Sequence, residues 1–218
     1  GIDHYFSSFN GGYLFELKRE GERVAAIVYD PAGSHVIMSG CDCGLSLKFA
    51  AWVAYSIVAV GKGVIPIHAS SVIKDGTAVL FLGESGTGKS THSRLWLRHI
   101  PDTYLLNDDC PLIYAGEGKP IVYGSPWSGK TDCYRQENAP LRAIVRLRQG
   151  PENNIRPLSR LSSIGAVYPS CPPLFAYDEE LSVKMLGSVG RIVDSAPIYD
   201  LECRPDRDAA ETAFKAIY

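Results

Sequence analysis

Apolar and polar positions divide the chain into short alternating runs and a few longer periodic ones. Residues 13–17 and 23–29 are short, largely apolar runs on either side of Glu20-Gly21-Glu22, which predicts a hairpin with Asp30-Pro31 closing its second strand. Residues 36–38 read as another short strand. Residues 49–60 form a continuous apolar run of 12 residues between Lys48 and Lys62. A membrane span needs about 20 apolar residues, so this run predicts a buried helix, with Ala50, Ala51, Ala54 and Ala59 allowing close packing. Two strands are predicted over 65–73 and 77–82, joined by a turn at Lys74-Asp75-Gly76. A helix follows over 89–99, ended by Pro101, and then a strand over 104–106 that runs into Asn107-Asp108-Asp109. Strands are expected over 121–123, 143–147 and 198–202, and helices over 158–167, 174–193 and 206–217.

Hairpin-like pairs mixed with single strand–helix units predict a mixed α/β fold on a mixed sheet. The whole span 1–218 reads as one domain, with 1–44 as a small N-terminal β extension and its boundary in the Gly- and Cys-rich stretch 30–44.

Composition narrows the chemistry. The 218 residues are 45% apolar and 21% charged, which fits an ordinary globular chain and excludes a disordered tail, a collagen-like repeat or a coiled coil. With 22 Lys and Arg against 24 Asp and Glu, the formal charge is −2. Nothing in that balance announces nucleic acid or an anionic membrane as a partner. The first ten residues mix polar and aromatic side chains without a secretory leader pattern, so a soluble cytoplasmic protein is expected. The six cysteines include Cys41 and Cys43 in C-D-C and four scattered singly. Without a CxxC pair they read as reduced thiols, and His35 with Cys41 and Cys43 lacks the paired knuckles of a zinc site.

The strongest local signal is Gly83-Glu84-Ser85-Gly86-Thr87-Gly88-Lys89-Ser90, which satisfies G-x-x-x-x-G-K-[ST] between a predicted strand and a predicted helix. Gly86 and Gly88 allow backbone conformations that aim several N–H groups into one concavity, and the helix adds its positive end. Lys89 can reach β- and γ-phosphates, and the Ser90 hydroxyl can ligate Mg²⁺. Thr91 follows in the first helical turn. A second formal match, Gly124-Ser125-Pro126-Trp127-Ser128-Gly129-Lys130-Thr131, fails on context. Pro126 removes an N–H where a cradle needs one, Trp127 adds bulk, and no amphipathic helix follows. That segment reads either as an ordinary surface loop or as a substrate- or nucleotide-facing one, with Trp127 for stacking and Lys130 for phosphate.

A phosphate cradle needs a metal ligand and, for transfer to a hydroxyl, a base. Asp108 and Asp109 end an apolar strand and point to opposite faces if the strand continues, which suits one carboxylate toward Mg²⁺ and the other toward the acceptor. His68, one strand before the loop, can contact phosphate or relay a proton, though a lone strand histidine is more often structural. Arg135, Arg142, Arg146 and Arg148 are candidates for an anionic acceptor or another subunit. Arg146 and Arg148 alternate with Val145 and Leu147, which reads as a solvated strand face.

The order His68-Ala69, strand, Gly83 to Ser90, helix, Leu105-Leu106-Asn107-Asp108-Asp109 resembles the kinase domain of HPr kinase/phosphorylase, a relative of phosphoenolpyruvate carboxykinase in phosphate-loop architecture. The likeness covers about residues 65–113 and includes the 19-position spacing from Lys89 to Asp108. It implies a phosphoenolpyruvate-carboxykinase-like α/β domain that binds ATP and Mg²⁺ and transfers the γ-phosphate to a hydroxyl of a small molecule, peptide or protein. It further implies that the loop and Lys89 hold the ATP phosphates, Ser90 and Asp109 the Mg²⁺, that Asp108 is the base, and that His68 lies beside the reacting phosphate. Trp127, Lys130 and Arg135 are the candidate acceptor contacts, and homo-oligomeric assembly is implied as in HPr kinases. The family's Glu-x-Arg-Gly segment is absent. Val122-Tyr123-Gly124 stands in its place, which points away from HPr as the acceptor and away from the reverse phosphorolysis. A regulatory ATP-binding module and an ATP hydrolase are the alternatives.

Overall fold

The structure, a computed structural model, describes residues 2–9, 12–30, 35–40, 44–129 and 131–218. Asp30-Pro31 as a strand end, the cysteines of the C-D-C run and Lys130 fall partly or wholly outside the described residues. The chain divides into two compact units, Gly1–Lys62 with Leu174–Ser182, and Gly63–Pro173 with Val183–Tyr218. The division thus falls at Lys62, beyond the helix that follows the stretch where a boundary was expected.

The first unit is an antiparallel meander of β1 (Ile2–Phe9), β2 (Gly12–Arg19), β3 (Glu22–Asp30) and β4 (His35–Ser39), in that order, with α1 (Gly44–Gly61) packed against β2, β3 and β4. Alternation puts Tyr13, Phe15 and Leu17 in the core. The hairpin turns on Glu20 and Gly21, both at positive φ, a geometry that matches the twist of the strands it joins. β1 was not predicted: its run HYFSSF lacks a regular apolar face and exposes Tyr5, so only its pairing with β2 defines it as a strand.

The second unit carries a mixed sheet. Its strands are β5 (Val64–Pro66), β6 (Ala69–Lys74), β7 (Thr77–Leu82), β8 (Thr103–Asp109), β9 (Leu112–Tyr114), β10 (Ile121–Tyr123), β11 (Asn138–Gln149), β12 (Asn154–Pro157) and β13 (Ile198–Cys203). The order along the main path is β5-β9-β10-β11-β7-β6-β8, and β13 branches from β11 and carries β12. β11 joins the antiparallel and parallel parts: its first residues pair with β10, and the rest run parallel to β7 and β13. Helices α2 (Lys89–His99) and α5 (Arg207–Ile217) cover one face, closing a core of Val79, Phe81, Trp96, Val145, Leu147 and Leu201. Asp206 caps α5, accepting from the Ala209 amide at 3.0 Å.

Three expectations change in detail. The run 65–73 is two strands, because Pro66 has no N–H for a ladder and the chain there switches partners. The Ile67 amide turns to the Pro111 carbonyl at 3.1 Å and the His68 amide to the Ser170 carbonyl at 2.7 Å. The helix expected over 174–193 begins later. A 3₁₀ turn covers Pro173–Tyr177, and Asp178 caps α4 (Glu179–Ser195) by accepting from the Leu181 amide at 2.9 Å. α3 (Arg160–Val167) starts after the Ser159 cap, and the residues before it form β12. Among the described residues Cys110, Cys133, Cys171 and Cys203 form no disulfide, and burial pushes Cys171 to about 12 and Cys203 to about 11. Among the described residues no helix is long and apolar enough to cross a membrane.

Candidate phosphate-binding active site

The chain leaves β7 through Gly83–Gly88 and enters α2 at Lys89. Gly86 at φ +82° and Gly88 at φ +110° sit where an L side chain is strained, which is what lets successive amides turn inward. The loop closes on itself through the Thr87 amide and hydroxyl, which donate to the Glu84 carbonyl at 3.2 and 2.7 Å. Gly88 precedes α2 without a side-chain cap, so the first amides of this helix stay open to an anion. Lys89 Nζ lies folded on the loop, donating to the carbonyls of Gly83 (2.8 Å) and Glu84 (3.2 Å). Burial pulls its ammonium below the usual lysine value, opposed by the charges of Asp109 and Asp108.

A cleft of about 390 Å³ opens over the loop. Of the residues singled out from the sequence, His68, Ser85, Gly86, Gly88, Lys89, Ser90, Thr91, Asp108 and Asp109 all line it, while Gly83, Glu84 and Thr87 form the loop's opposite side. β8 continues to Asp109, and the two aspartates differ in environment: Asp108 is buried, whereas the Asp109 side chain is 40% exposed and lies 3.4 Å from His68 Nδ1. Both nevertheless reach the same cleft, because strand β8 ends at its floor.

The oxygen donors fit Mg²⁺ in chemistry: a hydroxyl (Ser90) and two carboxylates face one space that also receives phosphate. Among the described residues no cluster of three or more His, Cys, Asp or Glu forms a closed metal cage. The uncapped helix end, the inward-turned glycines and Lys89 fit a nucleotide's phosphates in the same way.

Sequence reasoning missed three contributors. Arg94 lines the cleft, one helical turn beyond Ser90, and donates to Thr131 Oγ1 at 3.0 Å. Gly129 also lines it. Its amide donates to the Asp108 carbonyl at 2.9 Å, and a Cβ there would stand 2.7 Å from that oxygen. Asn107, fully buried, accepts from the amides of Asp109 (3.2 Å) and Cys110 (2.9 Å) and donates to the Trp127 carbonyl (3.0 Å). It therefore fixes both the aspartate turn and the loop after β10. Only Arg94 had a readable signal, its i+4 spacing from Ser90.

Two expected acceptor contacts lie elsewhere. Trp127 is absent from the cleft lining and uses its backbone to bind Asn107 and Ser125. Arg135 pairs with Glu137 at 3.1 Å and stacks 5.0 Å from the Tyr104 ring, at the far end of β8. Lys130 is outside the described residues. Arg146 and Arg148 are not simply solvated: both bind the buried carboxylate of Asp200, Arg146 Nε at 2.8 Å and Arg148 Nη2 at 2.8 Å. Arg142 donates to the Ile217 carbonyl at 2.6 Å.

A stretch of 75 residues is 36% identical to phosphoenolpyruvate carboxykinase (ATP) of Caldanaerobacter subterraneus subsp. tengcongensis, and one of 75 residues is 33% identical to the enzyme of the same name from Brevibacillus brevis. Each match covers 34% of this chain and 13% of the carboxykinase, so only a small part of those enzymes is represented. These similarities agree with the resemblance read from the motifs. The Hpr(Ser) kinase/phosphatase of Coxiella burnetii superposes with a TM-score of 0.40 at 14% identity, over 69% of this chain and 86% of that one. No family model matches the chain.

Proposed function

We propose that this protein is an ATP- and Mg²⁺-dependent phosphotransferase that moves the γ-phosphate to a hydroxyl acceptor. The observation that carries the reading is the meeting of Lys89, Ser90, Asp108, Asp109 and His68 in one cleft over the phosphate loop.

In this reading Lys89 leaves the carbonyls of Gly83 and Glu84 and takes up the β- and γ-phosphates, while the loop amides and the start of α2 hold the rest of the phosphate chain. Ser90 and Asp109 hold Mg²⁺, which when bound neutralises charge developing on the phosphoryl oxygens. Asp108 accepts the proton of the acceptor hydroxyl, its carbonyl held by the Gly129 amide and the next amide, of Asp109, held by Asn107. His68 steadies Asp109 from the open side of the cleft. A second cleft of about 390 Å³ flanks the loop between Leu95, Leu147, Cys203 and Pro205, and its apolar walls receive the nucleoside. Absence of the Glu-x-Arg-Gly segment at Val122-Tyr123-Gly124 favours an acceptor other than HPr.

The test follows label from γ-labelled ATP with Mg²⁺ into protein, peptide and metabolite fractions, with Asp108→Asn in parallel. Label entering one fraction, and falling by roughly 10³-fold with Asp108→Asn at unchanged ATP affinity, is expected. Full transfer by the variant overturns the assignment of the base. Free phosphate as the sole product makes the protein a hydrolase, and ATP binding without turnover makes it a regulatory module.

A further inference from the structure

On the side of the phosphate loop away from the aspartates, a cavity of about 510 Å³ is lined by residues 83–87 and by Arg146, Leu147, Arg148 and Gln149 of β11, and it shares Gly86, Thr87, Leu147 and Gln149 with the second cleft. Its arginines belong to a cross-strand row. Arg146 is the register partner of Asp200 on β13, Arg148 of Glu202, and Arg156 on β12 faces Asp200 from the opposite flank. Asp200 is the centre of this row and its side chain is fully buried. It receives Arg146 Nη2 at 2.7 Å, Arg148 Nη2 at 2.8 Å and Arg156 Nη2 at 3.5 Å, while Arg148 also pairs with Glu202 at 3.3 Å. Burial raises the Asp200 carboxyl, but the hydrogen bonds from Arg148 and Arg146 outweigh it and hold the group below the ordinary carboxylate range.

One buried carboxylate needs one well-placed guanidinium to be neutralised and hydrogen-bonded. Here three guanidinium groups meet two carboxylates, so the row carries a net positive charge. The arginine forks are held in place by Asp200, and the Arg146 and Arg148 side chains remain 33% and 45% exposed. Glu84 also lines the cavity, and no ion pair joins it to the three arginines. A guanidinium whose orientation is fixed in advance loses little freedom when it binds an oxyanion, and its planar fork matches carboxylate and phosphate. Gln149 joins this cavity to the loop, its side-chain amide donating to the Gly86 carbonyl at 3.3 Å.

We propose that Arg146 and Arg148, oriented by Asp200, form a second anion site on the side of the phosphate loop opposite the aspartate pair, for the phosphate or carboxylate group of a small molecule. The site does not depend on the transfer reaction proposed above. It stands or falls by anion binding alone.

The full chain, isotopically labelled, is titrated with inorganic phosphate and separately with citrate while backbone amides and arginine Nε–H signals are followed. Saturable shifts at residues 146–149 are expected with at least one probe, and the midpoint rises roughly tenfold in Arg148→Gln. Response to phosphate alone identifies a phosphoryl group as the ligand, and response to citrate a carboxylate. Arg156→Gln removes the charge in excess of the row's two carboxylates but none of the cavity lining, so its midpoint rises, though less than in Arg148→Gln. Should Arg148→Gln not fold, Arg148→Lys keeps the charge beside Asp200 while losing the fork, and it too weakens the shifts. Shifts confined to 83–90, a response that never saturates, or equal midpoints in the parent and the Arg148 variant overturn the proposal.

Discussion

Residues 83–90 and 124–131 spell the same pattern, G-x-x-x-x-G-K-[ST], and the protein uses them in opposite ways. In the first, the glycines sit at positive φ around an open concavity, and a helix of 11 residues continues from it. In the second, the glycines are there because backbone presses against them. A Cβ on Gly124 would stand 2.1 Å from the Arg135 carbonyl oxygen, and one on Gly129 would stand 2.7 Å from that of Asp108. No helix follows the second segment, whose chain proceeds to β11. It is a brace for the strand that ends in the aspartates, and its Gly129 enters the cleft from the wall. A motif thus specifies spacing, and the elements on each side decide whether the spacing serves a ligand or a neighbouring strand.

The brace hangs on Asn107, so removing that residue breaks the comparison most sharply. Asn107→Ala takes the side-chain acceptor from the Asp109 and Cys110 amides and leaves the Trp127 carbonyl with the Ser125 hydroxyl alone of its two side-chain donors. A loss of about 3 kcal/mol is expected, measured by denaturant unfolding. A loss under 1 kcal/mol would mean that the second loop holds itself.

The helix that only the first segment possesses supplies the next effect. His92 of α2 is buried and accepts from Trp96 Nε1 at 3.2 Å, and burial depresses it from 6.5 to about 4. Below pH 6.5 the unfolded chain binds a proton that the folded chain refuses, so stability falls as pH drops from 6.5 toward 4. The full contribution is about 3 kcal/mol. His92→Gln removes this part of the acid limb, so the stability difference between pH 7 and pH 4.5 shrinks by roughly 2 kcal/mol relative to the parent. An unchanged acid limb would contradict the assignment.

Paired glycine substitutions sharpen the contrast at smaller cost. Gly124→Ala meets backbone and should destabilise by about 2 kcal/mol with little direct effect on nucleotide binding. Gly86→Ala meets nothing within 4 Å, so only its φ of +82° resists, about 1 kcal/mol, while its effect falls on nucleotide affinity. Equal effects of the two on both readouts would erase the distinction between cradle and brace.

Much of the scaffold was legible because it is local. The Asp75-Gly76 turn, the strand–loop–helix around Lys89 and the apolar strand ahead of Asp108 each declare themselves within a few residues. What stayed hidden depends on distant partners. Asn107 reads as a turn residue until Ser125 and Trp127 are brought to it. Arg146 and Arg148 read as a solvated face until β13 places Asp200 beside them. β9 and β12 are too short to show a period, and they exist through pairing with β10 and β13.

Binding of ATP with Mg²⁺ by calorimetry to the parent, Lys89→Ala and Lys130→Ala proteins tests the central claim most directly. The account predicts that affinity falls by at least about a hundredfold with Lys89→Ala and stays within about threefold with Lys130→Ala. The reverse pattern, or equal losses, would contradict the assignment of residues 83–90 as the nucleotide's cradle.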